Sequence, residues 1–343
     1  MFWLIDLVFA QSVSQANLPT VNVRYLAQRA ELLRQVRGDF DQRGFLEVQP
    51  PCLAVDAVVD AYLDPVTVSA AQLGLPHAGP LQSLYMQTSP ESVMKCLLAE
   101  GAPSIYSIGP VFRAGESGPL HHPEFTMLEW YEVGGDYESA IQLTVDLIGR
   151  TLGSTGHERV TYRECFAEHL NLDPFTASIE QLANALADVD AVRSNTTLVD
   201  SLKQDRDGLL DALMSFAITP QLGKQRPCVL ADYPLTQAAL AKPSERDPLC
   251  ALRFEVFVDG IEIANGYDEL QDAETLLQRY RQSNQQRLAT GKAALPEQTM
   301  LLNAMRKGIP ACSGVALGFD RLLMLSVGEN DLIDVLSVVI GRG

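Results

Sequence analysis

The sequence predicts an α+β fold with a largely antiparallel sheet, and three observations carry that reading. Strand-like runs come first, a mainly helical stretch follows, and strand-like runs then return. Two of the early strands are joined by a Gly-rich polar loop that suits an antiparallel hairpin. No internal repeat is visible, and 343 residues with 47% apolar content suffice for one large core or two modest ones.

Each element has its own signal. From Tyr25 to Arg43, Leu26, Ala30, Leu33, Val36 and Phe40 recur at helical spacing among charges, and Gly44 stops the helix. FLEVQPP then reads as a short strand ending at Pro50-Pro51. Residues Ala70 to Pro80 read as a loop and Leu84 to Gln87 as a strand. Ser89 is placed as N-cap of a helix that Pro90 opens and that runs through Leu98. Tyr106 to Arg113 and Thr126 to Val133 form the hairpin. Residues 137–222 read as a mainly helical insertion with breaks at Gly153 to Gly156 and Asp173-Pro174. Strands follow at Cys228 to Asp232, Phe254 to Val258 and Ile261 to Ala264. A polar helix from Asp272 to Arg287 and a Gly-rich strand-to-helix junction at Gly314 to Leu325 close the pattern.

Charge and cysteine usage exclude several classes. Lys and Arg total 26 against 43 acids, a net charge of -17, with no basic run, which argues against broad nucleic-acid binding. An acidic surface better suits a partner with a basic loop. Cys52, Cys96, Cys165, Cys228, Cys250 and Cys312 are scattered, as reduced thiols of a cytoplasmic protein are, and show no metal or disulfide spacing. The apolar start MFWLIDLVFA lacks a basic flank, is interrupted by Asp6 and is too short for a bilayer. Residues 1–20 read as a variable leader and 21–343 as the catalytic unit, with no membrane span.

Four stretches carry chemistry. In FRAGESGPLHHPEFTMLEWYE, Arg113 ends a strand with forked donors suited to phosphate and carboxylate. Alternation puts Glu129 and Tyr131 on one face with Met127, and Leu128 and Trp130 on the other; an ordinary solvent-facing strand accounts for the same spacing. In RFEVFVDGIEIANGYDEL, Glu255, Glu262 and Glu269 recur at a constant interval. Such carboxylates would hold Mg²⁺ beside a triphosphate or, for Glu269 with Asn265, clamp an ammonium, but on spacing alone solvated acids on a sheet edge are the better reading. In SGVALGFDRLLML, Gly314 and Gly318 allow close backbone approach and Arg321 lies on the first turn of an apolar helix. In YMQTSPESVMK, Ser89 and Glu91 flank a helix start.

Taken in order, these stretches resemble the signature motifs of class II aminoacyl-tRNA synthetases. FLEVQPPC is similar to motif 1, FRAGE…HHPEFTMLEWY to motif 2 and GVALGFDRLLML to motif 3. TSPE, HxPEFTMLEWY and IEIANGYDEL resemble the lysine branch, over about Tyr25 to Leu325. A compact lysine-type unit with only a short leader, too short for a five-stranded OB-fold, resembles the elongation factor P lysine lysyltransferase family.

That resemblance implies a class II antiparallel sheet flanked by helices, without an OB-fold domain. It also implies ATP-dependent activation of (R)-β-lysine or lysine, transfer to a lysine side chain of elongation factor P, Mg²⁺ as cofactor, a homodimer and no tRNA partner. It places Arg113 and Arg321 at the reacting phosphate, and Ser89, Glu91, Glu129, Tyr131, Asn265 and Glu269 around the amino acid. Arg113, Gly115, Glu116, His122, Glu262, Ile263, Gly318 and Arg321 would line the ATP site, and Glu255 and Glu262 would hold the metal. Ala316 stands where the synthetases have glycine, which fits a β-amino acid. Motif 2 departs from the pattern: Arg113-Ala114-Gly115 replaces Arg-Asn-Glu, Glu116 comes one position late, and His121-His122-Pro123 replaces His-Asn-Pro. That departure motivates one alternative, a catalytically impaired lysine- or ATP-binding paralogue; a ligase with another acceptor is a second.

Overall fold

The computed structural model describes residues 20–74, 83–193 and 195–339. The leader, Thr20 apart, and residues 75–80 of the expected loop lie outside them.

Helix α1, Leu26–Gln42, forms where expected, but it buries Leu32, Val36 and Phe40 while Leu26 stays exposed. Phe40 stacks on Tyr106 at 4.6 Å between ring centroids and leans on Trp130 at 5.3 Å. The chain then enters an eight-stranded sheet. Its strands are β1 (Leu46–Glu47), β2 (Ile105–Phe112), β3 (Glu124–Val133), β4 (Glu158–Thr161), β5 (Cys228–Pro234), β6 (Cys250–Val258), β7 (Ile261–Asp268) and β8 (Cys312–Gly318). In space the order is β1-β2-β3-β8-β7-β6-β5-β4. The edge pairs β1/β2 and β4/β5 are parallel, and every pairing between them is antiparallel. The expected motif 1 strand shrinks to two residues, and β4 sits inside the stretch read as mainly helical.

Strand alternation sorts the sheet into two faces. One face carries Leu128, Trp130, Val229, Ala231, Phe254, Val256, Ala264, Val315 and Leu317, all within one apolar core. Helix α1 covers it together with α3 (Tyr137–Leu152) and α10 (Phe319–Ser326), which supply Val36, Phe40, Ile141, Ile148, Phe319, Leu322 and Leu323. Helix α2, Glu91–Ala99, lies on the other face. So do α4 (Tyr162–Leu170), α5 (Ile179–Asp188), α6 (Thr196–Leu202) and α7 (Arg206–Leu213), which share a second core with Leu230, Tyr233 and Phe257. Helices α8 (Ala273–Ala289) and α9 (Met300–Lys307) form a third core around Leu276, Tyr280, Leu301 and Leu302. Between the second and third cores the sheet is left uncovered.

Two irregularities shape this uncovered face. The β5/β6 register shifts between Ala251 and Phe254, and the Tyr137 hydroxyl serves the freed backbone there. It donates to the Arg253 carbonyl at 2.9 Å and accepts from the Asp232 N–H at 3.1 Å. The β6/β7 register shifts at Ile263, which sits opposite no residue of β6. Glu262 and Asn265 are three apart and would point to opposite faces of a regular strand; the extra residue brings both to the same side.

Candidate active site

The uncovered face opens into a cavity of about 1230 Å³. Its floor is laid out in rows across the sheet. Glu129 of β3, Ala316 of β8, Asn265 of β7 and Glu255 of β6 stand side by side in register, the first three lining the cavity and Glu255 lying outside its lining. The next row holds Tyr131, Gly314, Tyr267 and Arg253. The small residues of β8 make the floor concave. A Cβ on Gly314 would lie 2.1 Å from Glu269 Oε1 and 2.5 Å from the Tyr131 ring, so only glycine fits there. At Gly318, where close approach is also expected, a Cβ would make ordinary contacts of 3.5 Å with Arg321.

At one end of the cavity, acids gather in the interior. Glu129 and Glu269 are almost fully buried, and Glu91 opens α2 beside them. Tyr131 donates its hydroxyl to Glu129 Oε1 at 2.6 Å, while Glu129 Oε2 is buried with no hydrogen-bond partner among the described residues. Asn265 donates from Nδ2 to the Tyr267 hydroxyl at 3.1 Å, and its Oδ1 is likewise without a partner. Burial, reinforced by the charge of Glu91, pushes the Glu129 carboxyl up to about 8. A cation beside Glu129 would favour loss of the carboxyl proton, and the two unpartnered oxygens could then accept N–H donors. Ser89 also lines this end and accepts from the Glu91 N–H at 3.4 Å. It is not the N-cap: Pro90 occupies that position and α2 begins one residue later than the sequence suggests.

At the other end stand two arginines. Arg113 follows β2, donates from Nε to the Thr88 carbonyl at 3.2 Å and lies over the Phe125 ring. Gly115 takes φ +80°, a turn that returns Glu116 to within 3.7 Å of Arg113. Glu116, one position later than the resemblance expects, thus lies beside Arg113. Arg321, in the first turn of α10, donates to the Leu120 and Glu262 carbonyls at 3.1 and 2.9 Å. Its neighbour Asp320 is buried, accepts from the Thr126 N–H at 2.6 Å and pairs with Arg29 at 2.5 Å, which ties the helix start to β3 and α1. His122, the expected ATP contact, lines the cavity but turns Nδ1 to the Glu124 carbonyl at 2.7 Å. His121 instead meets Arg321, at 2.9 Å. Ile263 lines the cavity beside Glu262 and Gly318.

The expected metal pair is Glu255 and Glu262. Among the described residues no group of three or more His, Cys, Asp or Glu side chains is disposed to hold a metal. Burial raises Glu255 above the usual carboxylate range and the charge of Glu262 raises it further, a repulsion that a cation between them would relieve. Two carboxylates completed by phosphate oxygens and water suit Mg²⁺. Glu255 does not stand free, however: Arg253 donates to its Oε1 at 2.5 Å.

The sequence reading missed Arg253, Tyr267, His121 and, above all, Lys95. The Lys95 side chain is 1% exposed and its ammonium lies 2.5 Å from Glu269 and 2.6 Å from Glu91. The only signal in the sequence was its place four residues after Glu91 on a helix. Arg253 lies two residues before Glu255, a same-face position on a strand.

Among the described residues no helix is long and apolar enough to cross a membrane. The family model for class II tRNA synthetases (D, K and N) matches residues 16–338. Over 324 residues, 94% of this chain and 97% of the relative, the chain is 41% identical to an elongation factor P--(R)-beta-lysine ligase of Enterobacter sp. (strain 638). Proteins of the same name from Yersinia enterocolitica and Salmonella arizonae are 39% identical over the same shares. The antiparallel sheet with its arginine-bearing motif 2 and motif 3 is therefore the class II catalytic fold, and the chain belongs to the class II tRNA-synthetase family.

Proposed function

We propose that the chain is an ATP-dependent ligase that activates a lysine-type diamino acid, (R)-β-lysine or lysine, and passes it to a lysine side chain of elongation factor P. The observation that carries this reading is the pairing of two ends in one cavity. Orphaned acceptors on Glu129 and Asn265 await ammonium groups, and Arg113 and Arg321 await carboxylate and phosphate. The names of the relatives support the same substrate and acceptor.

In the first step a carboxylate oxygen of the amino acid attacks the α-phosphorus of ATP, the bond to pyrophosphate breaks and an acyl-adenylate forms. Arg113 orients the carboxylate against the phosphate, and Arg321, held by the Leu120 and Glu262 carbonyls, stabilises charge on the phosphate oxygens. Glu116, His122, Ile263 and Gly318 line the nucleotide space. Glu255 and Glu262 would hold Mg²⁺, which supplies charge neutralisation to the phosphates. In the second step the acceptor amine attacks the acyl carbon, AMP leaves and the amine's proton is lost. Ser89, Glu91, Tyr131 and Glu269 complete the wall around the side chain.

The net charge of -17 disfavours tRNA and favours a basic loop on a protein acceptor. The six free thiols suit the cytoplasm. We further place a two-fold homodimer contact at α1 and β1, the motif 1 elements. The impaired-paralogue reading rests on the altered motif 2 loop, and the approach of Glu116 to Arg113 answers one of its changes.

The test is ATP–pyrophosphate exchange with (R)-β-lysine, lysine and norleucine, followed by intact-mass analysis of elongation factor P and charging of tRNA(Lys) in parallel. Exchange with the diamino acids only, and mass gain on the protein only, are expected. Exchange with norleucine, or efficient tRNA charging without protein modification, overturns the reading.

A further inference from the structure

Lys95 has no part in the chemistry above, yet it is the most deeply enclosed cation of the site. Its ammonium sits between Glu91 on its own helix and Glu269 at the end of β7, 5.6 Å from the centre of the Tyr131 ring. Glu129, Tyr131, Tyr280 and Cys312 also face it from β3, α8 and β8. Burial works against its charge, but Glu269 and Glu91 outweigh burial and hold Lys95 above the ordinary lysine range. It is therefore a cation held behind the wall that Glu91 and Glu269 form at the amino-acid end of the cavity.

That cation changes what the acids can bind. Three carboxylates, Glu91, Glu129 and Glu269, surround this end. Lys95 offsets one of them, so two negative charges face the ligand once its ammonium groups draw all three acids into their ionised form. A diamino acid brings two ammonium groups to this end while its carboxylate goes to Arg113. An α- or β-amino acid with a neutral side chain brings one, and leaves one buried carboxylate uncompensated.

We infer that Lys95 is a specificity-determining residue that sets the charge of the pocket, so that two ammonium groups, and not one or three, make the loaded site neutral. This rests on the proposed function and names the balance behind its substrate class. Lys95 acts through Glu91 and Glu269 and is a positioning residue.

The experiment is a double-mutant cycle of Lys95→Met and Glu269→Gln, read by lysine- and β-lysine-dependent pyrophosphate exchange from pH 6 to 9. Glu269→Gln alone leaves one net negative charge and should lower kcat/KM at least about tenfold, through KM. Lys95→Met alone leaves three acids without their cation; one must keep a proton, and the acid limb of kcat/KM should move up by about one pH unit. The double variant again leaves two carboxylates and should exceed Glu269→Gln about tenfold, a recovery that a purely structural lysine would not produce. If Lys95→Met alone does not fold, the comparison of Glu269→Gln with the double variant carries the test, since that pair loses both charges together. A double variant no better than Glu269→Gln, or one that does not fold, overturns the inference. Absence of exchange in the unaltered protein counts against the proposed function instead, so the two failures are told apart.

Discussion

Glu129→Gln should make the ligand-free protein more stable and the enzyme inactive, and the stability gain should depend on pH. Glu129 is 2% exposed, and burial, reinforced by Glu91, pushes its carboxyl up to about 8 from an ordinary value of 4.5. The folded state therefore holds this proton where the unfolded chain has released it. The group's contribution is complete below the unfolded value and is lost as pH rises through the folded one. At about 1.36 kcal/mol per unit, the gap sets an upper limit of about 5 kcal/mol above pH 8. Relaxation and water entry reduce such penalties, and roughly 2–3 kcal/mol is the expected gain for Gln. The amide keeps the shape and still accepts from the Tyr131 hydroxyl, so the geometry survives. Urea unfolding of the ligand-free pair at pH 4 and pH 9 measures the effect. The two proteins should coincide within error at pH 4, and the variant should be the more stable at pH 9. Its kcat/KM for lysine should fall about 100-fold, as loss of a buried ionic partner costs roughly 3 kcal/mol or more. A variant less stable than the parent at pH 9, or one that still activates lysine well, refutes the reasoning.

Gly314→Ala should raise KM for the diamino acid at least about tenfold, because the new methyl would meet Glu269 Oε1 and the Tyr131 ring well inside contact distance. KM for ATP should stay within about twofold, and an equal rise for both ligands would show general distortion instead. Trp130→Ala, in the core on the far side of β3, should cost about 3–5 kcal/mol in urea unfolding. A loss under 1 kcal/mol would mean that the Phe40, Tyr106 and Trp130 cluster does not anchor α1 to the sheet.

The hairpin, the two-faced alternation of β3 and the motif 3 junction were legible because each depends on neighbours in sequence. Leu128 and Trp130 lie in the core while Glu129 and Tyr131 line the cavity, as a period of two requires. Strand ends were less legible. β7 runs to Asp268 rather than stopping at Ala264, and β6 starts at Cys250, since pairing with a neighbour extends strands beyond what local composition signals. Helix α9 was missed altogether: only eight residues long, it takes its stability from packing on α2 and α8. The parallel pairs at the sheet edges could not be read locally, because residues 46 and 105, or 158 and 228, meet only in the fold.

The site divides along the same line. Periodicity placed Glu129 and Tyr131, but it could not place Glu262 beside Asn265. A regular strand would send residues three apart to opposite faces, and the extra residue at Ile263 corrects this. That bulge is why the seven-residue interval from Glu255 to Glu262 ends with two carboxylates close enough to repel. Lys95 and Arg253 were invisible for a related reason. A buried cation is defined by the acids around it, and Glu269, 174 positions from Lys95, joins it only through the strand β7 and the helix α2. Two resident cations hold carboxylates here: Lys95 holds Glu269 and Glu91, and Arg253 holds Glu255. Of the acids at the amino-acid end, Glu129 has the buried oxygen without a hydrogen bond among the described residues. The proposed selectivity for a diamino acid therefore combines the net charge left after Lys95 with the one buried carboxylate oxygen that has no resident partner.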